Sequence, residues 1–269
     1  MVAPVVVVGV DVVAGDELVI GFADDGDGVG GDQDEHGRAT LASVSFTPAQ
    51  LRLVVERCEQ FRDSKAPDGY RDGLALCVID SIQSTGVTYS SVINVIDAYR
   101  RYRRERDADP YVDGVPELLA TFDELGGPDG WAHKIGNQNR TSTHAGAPLK
   151  ATAIRDAATV LAAEGVGTTR ALLERVEDTT RLAIVEAAWR GVVGQRSGIT
   201  WHYMQMLAGI PGIKPDRMIV RFVADSLGLP RRSVTPAFAL EILLAAAAEM
   251  DVSQTDLDHG IWQWQRRRR

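Results

Sequence analysis

Cysteine is almost missing from this chain. Only Cys58 and Cys77 occur in 269 residues, which excludes a disulfide framework, a cysteine-based zinc site and a four-cysteine iron–sulfur cluster. Two thiols in such a setting are expected to be reduced and buried. Long apolar runs are missing as well. The uncharged opening Met1–Val10 is too short to span a bilayer, and no Lys or Arg precedes Arg38 to form a signal-peptide n-region, so a cytoplasmic protein without membrane contact is expected. Aromatic residues make up only 6%, yet hydrophobic residues reach 45% and charged residues 25%. That composition excludes a wholly disordered chain and fits a folded body of one large domain or two small ones.

Basic charge is scarce only at one end. Residues 1–50 hold nine acids against one base, Arg38, whereas residues 51–269 hold 28 acids and 28 bases, so the formal charge of −8 belongs to the N-terminal segment. The bases of the neutral body are clustered, at Arg100, Arg101, Arg103, Arg104 and Arg106 and again at Arg266–Arg269. Such clusters form either a local phosphate-binding surface or a solvated helix face.

Val and Gly dominate residues 4–13, and Glu17–Ala23 follows across the turn-forming Ala14-Gly15-Asp16. This predicts a short β hairpin, which a strand near 39–46 would extend to a meander. Asp24–Gly37 between them is an acidic loop that lacks the residue order of a calcium-binding loop. From Thr47 the apolar period becomes helical, opening on Thr47-Pro48-Ala49-Gln50, a capping box with Pro at the first helical position. Helices are expected over 47–62, 71–84, 88–105, 115–124, 148–163, 168–174, 178–190, 197–208, 216–227, 236–249 and 255–265. Residues 131–148, with His133 and His144, read as a long polar loop. The fold class is mainly α with a short N-terminal β segment, divided into residues 1–46 and a helical body over 47–269.

Three stretches carry chemistry. Gly191, Gly194 and Gly198 surround Val193-Gly194-Gln195-Arg196-Ser197-Gly198 between two helices, where small residues let backbone amides approach a phosphate. Ile213-Lys214-Pro215-Asp216 brings an extended entry to Asp216, which is both an excellent helix N-cap and a candidate cleft carboxylate. Val78–Thr85 is an apolar helix ending in Gln83, a residue able to cap carbonyls or to reach into a base stack.

Together these stretches resemble the helix-hairpin-helix DNA glycosylase superfamily, the endonuclease III-like base-excision repair fold. Members carry Leu-Ser-x-Gln-x-Thr early in the core, a hairpin Gly-Val-Gly-x-Lys-Thr-Ala, and later an Asp opening a helix with Val-x-Arg. The matching pieces are Ile82-Gln83-Ser84-Thr85, Val193–Gly198, and Asp216 with Val220-Arg221-Phe222. Gly146 with Lys150-Ala151 and Ile154 is similar to a Gly-x-x-x-x-Lys-Ala helix, and Leu257-Asp258-His259-Gly260-Ile261-Trp262 to a late core helix.

The resemblance implies a two-lobed body, with a six-helix lobe over about 71–204 and a second lobe from 47–70 plus 205–265. It implies a monomeric, nucleoid-associated partner of double-stranded DNA that acts on a flipped nucleotide. Asp216 would be catalytic, and Gln83, Gly194, Gln195, Arg196, Ser197 and Gly198 would contact DNA. Trp201, His202 and Tyr203 are candidates for the base pocket, although helical spacing cannot point all three one way. No iron–sulfur cluster or other cofactor is implied, apart from a monovalent cation at the hairpin. Bifunctional members use the hairpin lysine to attack the sugar; Arg196 stands there instead, and the nearest lysine, Lys214, is expected to lie beyond the following helix. An arginine forms no imine, so the implied enzyme is a monofunctional N-glycosylase. The alternatives are a non-catalytic protein that recognises damaged or distorted DNA, and a helical interaction protein without DNA.

Because the negative excess lies in the N-terminal segment, deleting residues 1–45 is expected to strengthen duplex binding at low salt. Unchanged or weaker binding in a titration of the truncated chain would count against that repulsion.

Overall fold

Capping signals in the sequence set the helices of the computed structural model, which describes residues 45–268. Thr47 caps α1 (Pro48–Cys58): its hydroxyl accepts from the Gln50 amide at 3.2 Å and Gln50 Oε1 accepts from the Thr47 amide at 2.8 Å. This is the reciprocal box expected. There follow α2 (Leu74–Gln83), α3 (Tyr89–Arg104), α4 (Val115–Glu124), α5 (Pro128–Lys134), α6 (Lys150–Ala163), α7 (Thr169–Val176), α8 (Thr179–Gly191) and α9 (Ile199–Leu207). The series ends with α10 (Arg217–Leu227), α11 (Pro236–Glu249) and α12 (Gln254–Arg267). Side chains of Thr168, Asp178, Asp216, Thr235 and Ser253 cap α7, α8, α10, α11 and α12. The described body is thus mainly helical, and no helix in it is long and apolar enough to cross a membrane. The expected hairpin over residues 4–23 and the acidic loop lie outside the described residues. Of the strand near 39–46 only Ser45 and Phe46 are described, and they are irregular.

The helices fall into two packing groups. Helices α2 to α9 surround a core holding Tyr99, Phe122, Trp131, Trp189 and Trp201. Helices α1, α10, α11 and α12 pack on one another around Phe61, Phe222 and Trp264, whose rings meet edge-on at centroid distances of 5.6, 5.9 and 6.3 Å. The chain passes between the groups at residues 62–73 and 208–216. Hydrogen bonds close those crossings: the Tyr70 amide donates to Leu207 O at 2.7 Å, and the Ala66 amide to the Asp256 carboxylate Oδ1 at 2.8 Å.

Of the expected polar loop 131–148, residues 135–148 are irregular apart from one isolated bridge, and residues 131–134 belong instead to a helix. Pro128 opens α5, which buries Trp131 flat against Phe122 at 4.9 Å with its indole N–H donating to Thr121 at 3.0 Å. One large buried ring outweighs the surrounding polar composition. Beyond α5, Arg140 bridges to Leu149, and the Lys150 amide donates to Asn139 O at 2.8 Å.

Helix α2 is buried along its whole length. Its final carbonyls therefore need partners from the protein. Asp80 O accepts from the Ser84 amide at 2.9 Å, Ser81 O from the Ser84 hydroxyl at 2.9 Å, and Ile82 O from the Thr85 hydroxyl at 3.0 Å. Lys150 completes the end: its buried ammonium donates to Gln83 O at 2.9 Å and to Thr85 O at 2.5 Å, and burial pushes its pKa down to about 8. Lys150→Met keeps the bulk of the stem but leaves those two carbonyls without a donor, so a loss of about 2–4 kcal/mol is expected from urea unfolding. A loss below about 0.5 kcal/mol would show that the contact contributes little.

Candidate functional site

A cleft of about 650 Å³ opens where the two helix groups meet. The C-terminal end of α2, residues 66–70, the start of α3, α9, residues 214–218 and α12 all contribute to its walls. Tyr70, Tyr89, Tyr203 and Trp262 supply aromatic surface; Asp80, Lys214, Asp216, Asp258 and Arg266 supply charge.

Asp216 is the N-cap of α10, and its Oδ1 accepts from the Met218 and Ile219 amides at 2.7 and 3.2 Å. Two charge-assisted bonds fix one carboxylate oxygen at the positive end of a helix. Its Oδ2 has no partner among the described residues. Asp258, on α12, accepts from the Lys214 amide at 2.9 Å. Burial pushes its carboxyl up to about 7, assisted by the charge of Asp216 and opposed by Lys214. Asp80 is the third carboxyl. Its Oδ2 accepts from the Tyr70 hydroxyl at 2.9 Å, while its buried Oδ1 has no hydrogen-bond partner. Burial raises its pKa, against the opposing effects of Tyr70, Lys214 and Tyr203.

Lys214 sits among these carboxyls, with Nζ 3.9 Å from the centroid of the Tyr203 ring and 3.4 Å from Ser84 Oγ. Lys214 follows α9, as expected, and the extended entry before Asp216 brings its side chain to the cleft. Trp262 completes the wall, stacked on His259 at 5.7 Å and meeting Tyr89 edge-on at 6.2 Å.

The hairpin between α8 and α9 has the backbone its glycines permit. Gly194 and Gly198 have φ of +80° and +71°, and a Cβ at Gly194 would come within 2.9 Å of Thr141. Arg196 and Ser197 are exposed, whereas Gln195 is buried and pins the turn: its Oε1 accepts from Thr200 at 2.6 Å and its Nε2 donates to Val193 O at 3.3 Å. Gln195 is thus an internal brace of the hairpin. Gln83 is wholly buried too, with Oε1 accepting from Asn137 at 3.3 Å. It does not project from its helix end.

Of the three residues proposed for a pocket, Tyr203 lines the cleft. Trp201 lies in the core beside Trp189 at 5.8 Å, and burial, assisted by the charge of Arg190, holds the His202 imidazole below its ordinary value. The arginine run is largely engaged within the body. Arg103 forks onto buried Asp113 at 2.7 and 3.0 Å, Arg106 pairs with Glu124 at 3.2 Å, and Arg100 stacks on Tyr111 at 4.8 Å.

The model of a family described as Domain of unknown function (DUF8548) matches residues 52–266. The chain belongs to that family. No curated protein and no solved structure matches the chain. The span matched by the DUF8548 model contains the whole lining of the cleft and the hairpin.

Sequence reasoning placed Asp216 correctly at its helix start but passed over Asp80, Asp258 and Trp262. Asp80 had a readable signal, a single acid within the apolar run Leu74–Ile82. Asp258 lies inside the segment that resembles a late core helix.

A carboxyl whose value rises from 3.8 to about 7 on folding keeps its proton where the unfolded chain releases it. Stability contributed at that position is therefore lost as pH rises through this window. Asp258→Asn retains an acceptor for the Lys214 amide but does not titrate. Its unfolding free energy, relative to wild type, is expected to grow between pH 4 and 7 by at most about 1.4 kcal/mol per unit. Parallel urea-unfolding profiles across that range would contradict the raised value.

Proposed function

We propose that the chain is a monofunctional DNA N-glycosylase of helix-hairpin-helix type, acting on a nucleotide flipped out of double-stranded DNA. The observation that carries this reading is Asp216, held through one oxygen at the N-terminus of α10 while it lines a cleft beside aromatic side chains. Two further features support it. The helices divide into α2–α9 and α1 with α10–α12, as a two-lobed glycosylase would, and α9 runs from the glycine hairpin at one end to Tyr203 in the cleft.

Cleavage of an N-glycosidic bond builds positive charge on the deoxyribose. The Asp216 carboxylate, preorganised by the first turn of α10, stabilises that charge and positions the attacking water. Tyr203, Tyr89 and Trp262 receive the flipped base. The exposed backbone at Gly194, Arg196 and Ser197 approaches a phosphate, and Arg196 adds a charge-assisted contact. Arg190, whose Nε donates to Arg196 O at 3.1 Å, supplies at this hairpin the positive charge that the resemblance assigns to a monovalent cation. With Gln83 buried, residues 84–88 on the cleft rim meet the duplex in its place.

A second reading, a non-catalytic DNA-binding protein, is favoured by Arg196 in place of the hairpin lysine. Base release separates the two. In a screen of duplexes carrying damaged bases, read by mass spectrometry, wild type is expected to free one base class. Asp216→Asn is expected to lower that rate by roughly 10²-fold or more with duplex binding retained. Since Asn caps a helix about as well as Asp, stability should change by less than about 0.5 kcal/mol. Borohydride should trap no adduct; trapping that disappears in Lys214→Ala would make the enzyme bifunctional, and a wild-type rate in Asp216→Asn would remove the catalytic assignment.

A further inference from the structure

Base release by Asp216 alone leaves one proton unassigned. A nucleobase that departs as an anion is a poor leaving group, so the nitrogen or carbonyl oxygen that takes the electron pair needs a donor in the same cleft. We propose that Asp258 is that donor, a second catalytic residue beside Asp216, and this rests on the glycosylase reading above.

The geometry that carries the inference is centred on Lys214. Its amide N–H donates to Asp258 Oδ1 at 2.9 Å and its carbonyl accepts from the Asp216 amide at 2.6 Å, so one residue holds the Asp258 carboxyl and the backbone of Asp216 in a single turn. Each carboxyl is anchored through Oδ1, on the Lys214 amide for Asp258 and on the α10 amides for Asp216. Neither Oδ2 has a hydrogen-bond partner among the described residues, and both residues line the cleft. Two acids in one cleft do not by themselves make a site. Asp80 is the independent sign of a ligand: it is 1% exposed, lines the same cleft, and holds Oδ1 without any partner. A buried acceptor left unsatisfied costs roughly 1–3 kcal/mol, and a ligand N–H removes that cost. The substrate that fits is a planar base with an N–H for Asp80 and a ring nitrogen or carbonyl oxygen for the Asp258 proton.

The environments of the two carboxyls divide the roles. Burial and the charge of Asp216 raise the Asp258 carboxyl to about 7, where it still holds a proton near neutrality. The charged and titratable groups that line the cleft with it are Asp68 and Tyr70 from the crossing before α2, Asp80 from α2, Tyr89 from α3, Tyr203 from α9, Lys214 and Asp216 from the entry to α10, Arg217 from α10, and His259 and Arg266 from its own helix. Burial holds the His259 imidazole below its ordinary value, opposed by the charge of Asp256.

In the step, the C1′–N bond breaks with its electron pair passing to the base, and the Asp258 proton passes to that base. Asp216 stabilises the sugar cation. Water then adds to C1′, and the proton it releases returns to the Asp258 carboxylate. One water is consumed, and the free base and an abasic sugar are formed.

The test uses the full chain in single turnover on a duplex from which wild type frees a base, between pH 5 and 9. The expected wild-type rate falls about tenfold per pH unit above about 7. Asp258→Asn, which keeps an acceptor for Lys214, is expected to lose roughly 10²-fold or more and to lack that alkaline limb. Asp216→Asn keeps the limb, moved to lower pH because the like charge is gone. Carbon-13 NMR of the aspartate carboxyls gives a reading independent of activity, with a carboxyl titration near 7 in wild type that is absent in Asp258→Asn and lowered in Asp216→Asn. Base release with an unchanged limb in Asp258→Asn overturns the proton donor and spares the glycosylase. Absence of base release from wild type overturns the glycosylase reading and the donor with it. An Asp258 that titrates in the ordinary carboxylate range overturns the donor whatever the rates show.

Discussion

Everything in the cleft depends on the burial of α2. A helix with no exposed residue has no water at its C-terminal end, so each of its last carbonyls must be met by the protein. Ser84, Thr85 and Lys150 meet them, and that closure holds Ser84 and Thr85 against the cleft and fixes the depth at which Asp80 stands. The same burial that stabilises the core also desolvates Asp80 and gives it an empty acceptor. Core and site are here consequences of one constraint.

Around that helix the cleft combines three acids with few strong ion pairs. Asp216 is compensated by amide dipoles, Asp258 by one amide and Asp80 by a tyrosine hydroxyl, while Lys214 rests on an aromatic face rather than on a carboxylate. Hydrogen bonds to neutral groups leave more of a carboxyl's charge available to a ligand than a bidentate guanidinium does. The contrast is Asp113, whose carboxylate is saturated by Arg103 and Tyr99 and serves packing alone.

Local chemistry was readable and long-range chemistry was not. The Thr47 box, the Asp216 cap and the helical period of the body are properties of a few adjacent residues, and the structure has them where the pattern puts them. Helix α5 was missed because its one decisive residue, Trp131, contributes through a partner ring at Phe122 rather than through periodicity. Gln83 and Gln195 are expected to contact DNA, yet each is buried on hydrogen bonds to Asn137 or to Thr200, which no composition rule reveals. Asp258 gains its character from Lys214, 44 residues earlier.

Both thiols are buried, Cys58 at the end of α1 and Cys77 within α2, and burial pushes Cys58 up to about 12 and raises Cys77 as well. A thiol that neither meets solvent nor ionises near neutrality is inert to maleimides and to peroxide. Any single cysteine placed on the rim of the cleft would therefore be the chain's one reactive thiol. A fluorophore or spin label attached there reports on ligand entry without first having to remove a native side chain.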